Sequence, residues 1–218
     1  MRRDHHIACA TRADLKALVE VHLEAFPDFF LSKIGKRFLT VYYQSVATYP
    51  QGCVLVLYSA NSRLVGFISG FKYPDGFYRH FKKRKMAIAV ALAIGLLKRP
   101  YLLPRVVFHA RCGGKKSVAM SEDENFVELS ALAVDPGGQS AGVGQALHAA
   151  FEDWAVASGA HGIYLTTDVE RNELARNFYA KRGYREIRKI VTPIRRSMSV
   201  FAKVFRESGF SYINESSR

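Results

Sequence analysis

The stretch from Leu129 to His148, Leu-Ser-Ala-Leu-Ala-Val-Asp-Pro-Gly-Gly-Gln-Ser-Ala-Gly-Val-Gly-Gln-Ala-Leu-His, is where chemistry is most concentrated in this chain. An apolar strand-like run ends at Val134, a glycine-rich turn holds Gln139, Ser140, Ala141, Gly142, Val143, Gly144 and Gln145, and a helical pattern begins at once. Such a turn aims several backbone N–H groups and a helix N-terminus at one spot, which suits a phosphate. Gly142 and Gly144 let the backbone approach a ligand closely and take φ values closed to other residues. No Gly-Lys-Ser/Thr follows, and the three glycines of the dinucleotide fingerprint are missing, so neither nucleotide motif applies. Asn172, Arg176 and Tyr179 stand at i, i+4 and i+7, a spacing that presents all three on one helical face. Strand alternation puts Glu128, Ser130, Leu132 and Val134 on one face of their strand. His148, inside the helix after the turn, reads as a packing residue, and nothing in the sequence places His80 or His109.

The elements that must hold these residues follow from periodicity. Residues 6–10 form a first strand, and Thr11 with Asp14 makes a capping-box variant before a helix whose apolar stripe is Leu15, Leu18, Val19, His22 and Leu23. A second helix is expected from Ser32 to about Ala47. Strands follow over 52–58 and 64–71, with Asn61-Ser62 as the hairpin turn. Strands over 126–134, 163–167, 184–192 and 198–205 complete a sheet, and helices over 142–158 and 171–182 cross over it. The prediction is α/β with a mixed, mostly antiparallel central sheet and flanking helices. One domain spans 1–206, and 207–218 is a polar tail.

Charge is unevenly spread. The chain carries +13, from 32 Lys and Arg against 19 Asp and Glu, yet residues 71–120 hold twelve of the basic residues and one acid. Residues 121–170 hold nine acids and no Lys or Arg. A nucleic-acid binder would distribute its basic residues along its recognition elements, so nucleic acid is disfavoured. The basic block lies in an insertion over about 72–125, expected to be helical, between the third and fourth strands. There a twelve-residue apolar run, Met86 to Leu97, too short to span a bilayer of about 20 helical residues, is flanked by cationic clusters. Residues 79–105 read either as docking on an anionic membrane surface or as a structural lid or homodimer contact. Three scattered cysteines without metal-ligand spacing and an N-terminus lacking an apolar signal core suggest a cytoplasmic protein, with the inner membrane face as an alternative, and no metal.

Gln139-x-x-Gly142-x-Gly144 resembles the pyrophosphate-binding signature of the GNAT superfamily of acyl-CoA-dependent N-acetyltransferases. The run from Asn172 through Ala175, Phe178 and Tyr179 to Gly183-Tyr184 is similar to the same family's later helix and its exit, with Tyr184 where Phe is usual. The resemblance implies a fold in which two neighbouring strands splay, with acetyl-CoA as co-substrate in the gap. It implies that Leu132, Ala133 and Val134 pair with pantetheine through their backbone and that Gln139–Gln145 hold the pyrophosphate. It further implies that Asn172 bonds the pantetheine arm and that Tyr179 is the general acid, with Arg176, Lys181 and Arg182 as candidates for the 3′-phosphate. Glu128, six residues before Val134, matches the catalytic glutamate of the histone acetyltransferase branch, and desolvation would raise its pKa toward that of a useful base. The acceptor expected is a small-molecule amine, favoured as an amino sugar on a nucleotide or lipid diphosphate. Residues 25–39 are loosely similar to acetyltransferases of surface-polysaccharide pathways. The alternatives are N-acylation of an amino acid, lipid amine or protein lysine, with a longer acyl donor among the options, and a non-catalytic CoA-binding or membrane-peripheral module.

Overall fold

The computed structural model describes residues 6–112, 125–138, 142–170, 172–191 and 197–205, side chains excepted at 108–112 and 138. The described strands are β1 (His6–Cys9), β2 (Gly52–Tyr58), β3 (Leu64–Lys72), β4 (Phe126–Val134), β5 (Gly162–Asp168), β6 (Arg185–Val191) and β7 (Ser197–Val204). They form a sheet in the order β1-β2-β3-β4-β5-β7-β6, antiparallel throughout except for the parallel pair β4 and β5. The helices are α1 (Leu15–Ala25), α2 (Phe30–Ile34), α3 (Lys36–Thr48), α4 (Pro74–Lys82), α5 (Lys85–Lys98), α6 (Leu103–Cys112), α7 (Val143–Ala157) and α8 (Glu173–Ala180). This is the α/β class read from the sequence, with α4 to α6 forming the expected helical insertion between the third and fourth strands.

Both faces of the sheet are covered, so its strands alternate between two cores rather than between core and water. Val54, Val56, Phe67 and Phe71 point to the side of α1, α3 and α4, where Leu18, Leu39, Tyr43 and Phe77 are buried. Leu55, Leu57, Ile68, Ile163 and Leu165 point to the side of α7 and α8, against Leu147, Phe151 and Tyr179. Truncating a fully buried ring such as Phe151 removes about 3–5 kcal/mol. At the N-terminus, the Thr11 backbone N–H and its Oγ1 both donate to Asp14 at 2.7 Å, so the capping box forms, over a 3-10 turn at Arg12–Asp14 that leads into α1. The single helix expected from Ser32 is two helices. Gly35, at φ +116°, breaks the chain direction between α2 and α3, a conformation other residues rarely take.

Two irregularities position the site. Ser69 faces Ala131 while Gly70 faces Leu129, so Ser130 is an extra residue in β4, a β-bulge. The bulge reverses the alternation. Leu129, Leu132 and Val134 all pack toward α7, while Ala131 and Ala133 pack toward α1. Glu128, Ser130, Leu132 and Val134 therefore do not share a face as strict alternation predicts. The second irregularity lies between β4 and β5. Their pairing runs only from Phe126–Gly162 to Glu128–Tyr164, and past that point the strands diverge.

Candidate active site

Where β4 leaves β5, its far edge loses a ladder partner, and its backbone groups must be satisfied by water or a ligand. The gap is a cleft of about 310 Å³. Leu129, Ser130, Ala131 and Leu132 of β4 form one wall, Leu165, Thr166, Thr167 and Asp168 of β5 the opposite one. Helix α8 closes one end with Asn172, Ala175 and Tyr179, and α1, α2 and α3 close the other with His22, Phe26, Phe29, Leu31, Tyr42 and Tyr43. The cleft thus passes through the sheet, drawing residues from both cores.

On the α8 side, Asn172, Ala175 and Tyr179 are at i, i+3 and i+7, and that is the helical face turned to the cleft. Arg176 is one position further round. It donates to Glu186 of β6 at 2.9 Å and lies outside the cleft, so the grouping of Arg176 with Asn172 and Tyr179 is corrected. A carboxylate on β6, invisible to the helical spacing, draws it away. Asn172 Nδ2 donates to Thr167 Oγ1 and is held against β5. Tyr179 is buried, its ring packed on Phe178, Tyr184 and His148 with centroids 5.2, 5.4 and 6.2 Å away. Its hydroxyl makes no hydrogen bond to another described residue. Burial raises its pKa, so the phenol keeps its proton at neutral pH. His148 sits at 3.0 Å from the Tyr184 hydroxyl, and burial, with Arg182 and Lys203 nearby, pushes its pKa down to about 4. It is a neutral packing residue, as read from the sequence, and it gives the hydroxyl of Tyr184 a partner.

On the α3 side, Glu128 is set behind the wall rather than in it. Tyr164 donates to its carboxylate at 2.6 Å. Burial raises its pKa, while the Tyr164 bond pulls the other way. Ser130 and Tyr42 line the cleft at this level, and their hydroxyls are 2.5 Å apart. Burial and the Glu128 charge both raise the Tyr42 pKa, and the same charge is the main cause of the rise at Tyr78, so Glu128 is in electrostatic contact with both phenols. His22 was visible in the sequence only as a stripe position of α1. It lines the cleft with Nδ1 2.6 Å from the Tyr43 hydroxyl, and its buried Nε2 has no partner among the described residues. Burial pushes its pKa down to about 4. The adjacent Tyr42 and Tyr43, and Tyr164, were likewise hidden among apolar positions. A histidine and a tyrosine pair on facing helical stripes was the one signal that could have found them.

The phosphate turn is described from Gly142 onward, and Gln139, Ser140 and Ala141 lie outside the described residues. Gly142 caps α7 at φ +75° without a side-chain cap, and the Gly142 carbonyl takes the Ala146 N–H at 3.0 Å. The N–H groups of Val143, Gly144 and Gln145 in the first helical turn have no intrahelical partner and carry the positive end of the helix dipole. Gly144 needs no special φ. A Cβ there would meet Val134 at 3.5 Å and Phe178 at 3.6 Å, so its place is beside the end of β4 and under α8. Of the three backbone positions expected along the thioester arm, Leu132 lines the cleft, while Ala133 faces Phe67 and Val134 faces Gly66 across the ladder. Arg182 stacks 3.5 Å over Phe178, and His80 contacts Thr48 and Tyr49 away from the cleft. The side chain of His109 lies outside the described residues. Among those residues there is no cluster of three or more His, Cys, Asp or Glu able to hold a metal ion.

The fold agrees with known proteins. Residues 15–184 match the model of the acetyltransferase (GNAT) family. No curated protein matches by sequence. Among solved structures, Ard1 from Thermoplasma volcanium is 15% identical with a TM-score of 0.59, over 93% of this chain and 99% of that one. The PaiA N-acetyltransferase from Thermoplasma acidophilum, in complex with coenzyme A, is 16% identical with a TM-score of 0.57, over 93% and 99%. YncA from Salmonella typhimurium, with acetyl-CoA, is 14% identical with a TM-score of 0.59, over 93% and 95%. The chain belongs to the GNAT family and is an acetyltransferase of that fold.

Proposed function

We propose that this protein moves an acetyl group from acetyl-CoA to the primary amine of a small acceptor, by direct attack through a tetrahedral intermediate. The carrying observation is the cleft opened where β4 and β5 part, with Leu132 on one wall and Tyr179 at one end. The first turn of α7, together with Gln139, Ser140 and Ala141, supplies N–H donors for the pyrophosphate. The unpaired edge of β4 from Leu132 to Val134 takes the pantetheine amides, and Asn172 bonds the same arm. The amine attacks the thioester carbonyl, and an N–H of the β4 edge near Leu132 stabilises the oxyanion. As the C–S bond breaks, Tyr179 gives the thiolate its proton. Burial keeps the phenol protonated at neutral pH, so the proton is present for the leaving group. The proton lost by the amine passes by way of the Ser130 and Tyr42 hydroxyls, or a water beside them, to Glu128.

For the acceptor we favour an amino sugar carried on a nucleotide or lipid diphosphate. The α1–α3 end of the cleft offers the aromatic faces of Phe26, Phe29, Tyr42 and Tyr43 to a ring. The basic block over 71–120 complements a diphosphate. The test is thiol release from acetyl-CoA over amino sugars, nucleotide amino sugars, amino acids, polyamines and lysine peptides. Turnover with amino-sugar diphosphates supports the reading. Turnover confined to amino acids or lysine peptides overturns the acceptor. Coenzyme binding with no thiol release for any amine overturns catalysis and leaves a binding module.

A further inference from the structure

Helix α5 is apolar on two opposite sides. Ile88, Ala91, Leu92 and Gly95 form one stripe, which packs inward. Ala91 clusters with Ile34 and Phe38, and Gly95 lets the Ile34 carbonyl approach so closely that a Cβ would sit 2.4 Å from it. Met86, Val90, Ala93 and Leu97, at i, i+4, i+7 and i+11, form the other stripe, which is bare. Met86 is 72%, Val90 51% and Leu97 84% exposed. Tyr101 and Leu103, just past the helix, are exposed as well. A surface helix normally turns polar residues outward, so a bare apolar stripe of this length marks a contact surface.

The charges around the stripe identify the partner. Residues 79–105 contain eight Lys and Arg and no acid. Lys82, Lys83 and Lys85 at one end and Lys98 at the other are all exposed. In a two-fold contact between copies, one α5 against another would set lysines against lysines in either direction. Nucleic acid would match the charge but would set its charged backbone, not an apolar surface, against the stripe. An anionic bilayer matches both features. We propose that the outer stripe of α5 lies along an anionic membrane surface, its apolar side chains at the acyl boundary and its terminal lysines on lipid phosphates. At fourteen residues, about 21 Å, the helix is too short to cross, and no described helix is long and apolar enough to do so. Phe30 and Leu31 of α2 pack on the α5 cluster, while Phe29 and Leu31 line the acceptor end of the cleft. The acceptor end of the cleft therefore reaches the inner side of the helix whose outer stripe docks. Resting on the function proposed above, this selects the lipid-borne amine over the nucleotide-borne one.

The experiment is flotation of the full chain with vesicles of phosphatidylcholine, alone or with phosphatidylglycerol. Partition onto the anionic vesicles at least about tenfold above the neutral ones, abolished by salt, is expected, with a loss of about fivefold for each of Lys82→Gln, Lys83→Gln and Lys85→Gln. The double variant Met86→Asp, Leu97→Asp loses the partition yet melts as wild type and turns over soluble acceptors unchanged, because both side chains are exposed. Equal binding to the two vesicles, or a dimer in sedimentation that Leu97→Asp dissociates, overturns the docking surface, as does a tighter hold on a duplex oligonucleotide than on vesicles. A second arm compares an amine acceptor embedded in the anionic vesicles with its soluble form. Faster turnover on the vesicle supports the lipid-borne acceptor, and parity overturns that assignment while leaving the docking surface standing. Turnover of soluble acceptors tests the underlying function separately.

Discussion

Replacing Tyr179 with Phe separates catalysis from packing more cleanly than any other single change. The ring keeps its neighbours Phe178, Tyr184 and His148, and the deleted hydroxyl makes no bond to another described residue. The stability change should therefore stay within about 1 kcal/mol. If that hydroxyl protonates the departing thiolate, its loss removes a general-acid contribution of about 10²–10⁴ in rate. Even the lower bound raises the barrier by about 2.7 kcal/mol. The effect should fall on kcat, with the KM for acetyl-CoA little changed, because the pyrophosphate and pantetheine contacts proposed above involve other residues. Thiol release followed with a chromogenic disulfide, beside a thermal melt, reads both quantities. Retention of half or more of the wild-type kcat would refute the acid role. A fall in kcat accompanied by an equal loss of folded protein would show that the tyrosine is a packing residue.

Glu128→Gln should lower kcat by about a hundredfold and remove the acidic limb of the pH–rate profile, because a base with a raised pKa gains activity as pH rises through that value. The same variant should melt higher than wild type at alkaline pH and level with it in acid. A carboxyl whose folded pKa is raised stabilises only while protonated and loses that advantage as pH rises. An unchanged profile and unchanged melting would show that Glu128 is not the buried base. His22 and His148, both pushed down to about 4, bind protons more readily unfolded, so they cost the fold stability as pH falls from about 6.5 toward 4. Each loss is on the order of 3 kcal/mol at the lower end. Melts across that range, compared with His22→Gln and His148→Gln, should show a shallower acid slope in each variant, and parallel slopes would contradict the assignment.

The elements themselves were legible because each has a strong local period. The hairpin at Asn61-Ser62, the capping box at Thr11, the strand boundaries to within a residue or two and the helical insertion all follow from side-chain spacing and turn chemistry. Gly35 shows where that stops. Apolar positions on either side of it continue one stripe, and only its positive φ divides the helix. Within the site, the errors came from partners distant in sequence. Arg176 has the right spacing to join Tyr179, but Glu186 holds it on the other side. His22 and Tyr43 meet 21 residues apart across two helices, so neither local pattern marks them as polar partners.

The misread face of β4 and the existence of the cleft have one cause. Gly70 lacks a side chain where a Cβ would lie 2.3 Å from the Glu128 carbonyl and 2.4 Å from Phe151, so the Phe151 ring and the β4 backbone both press onto β3 at that point. Opposite it β4 takes its extra residue, Ser130. A bulge bends its strand and increases its twist, and the β4–β5 ladder ends at Glu128, two residues before the bulge. The bend that turns Ser130 toward Tyr42 and Leu132 toward α7 therefore also carries β4 away from β5. Alternation assumes a strand without such a residue, and no feature of 126–134 taken alone announces it, because the cause lies in Gly70 and Phe151.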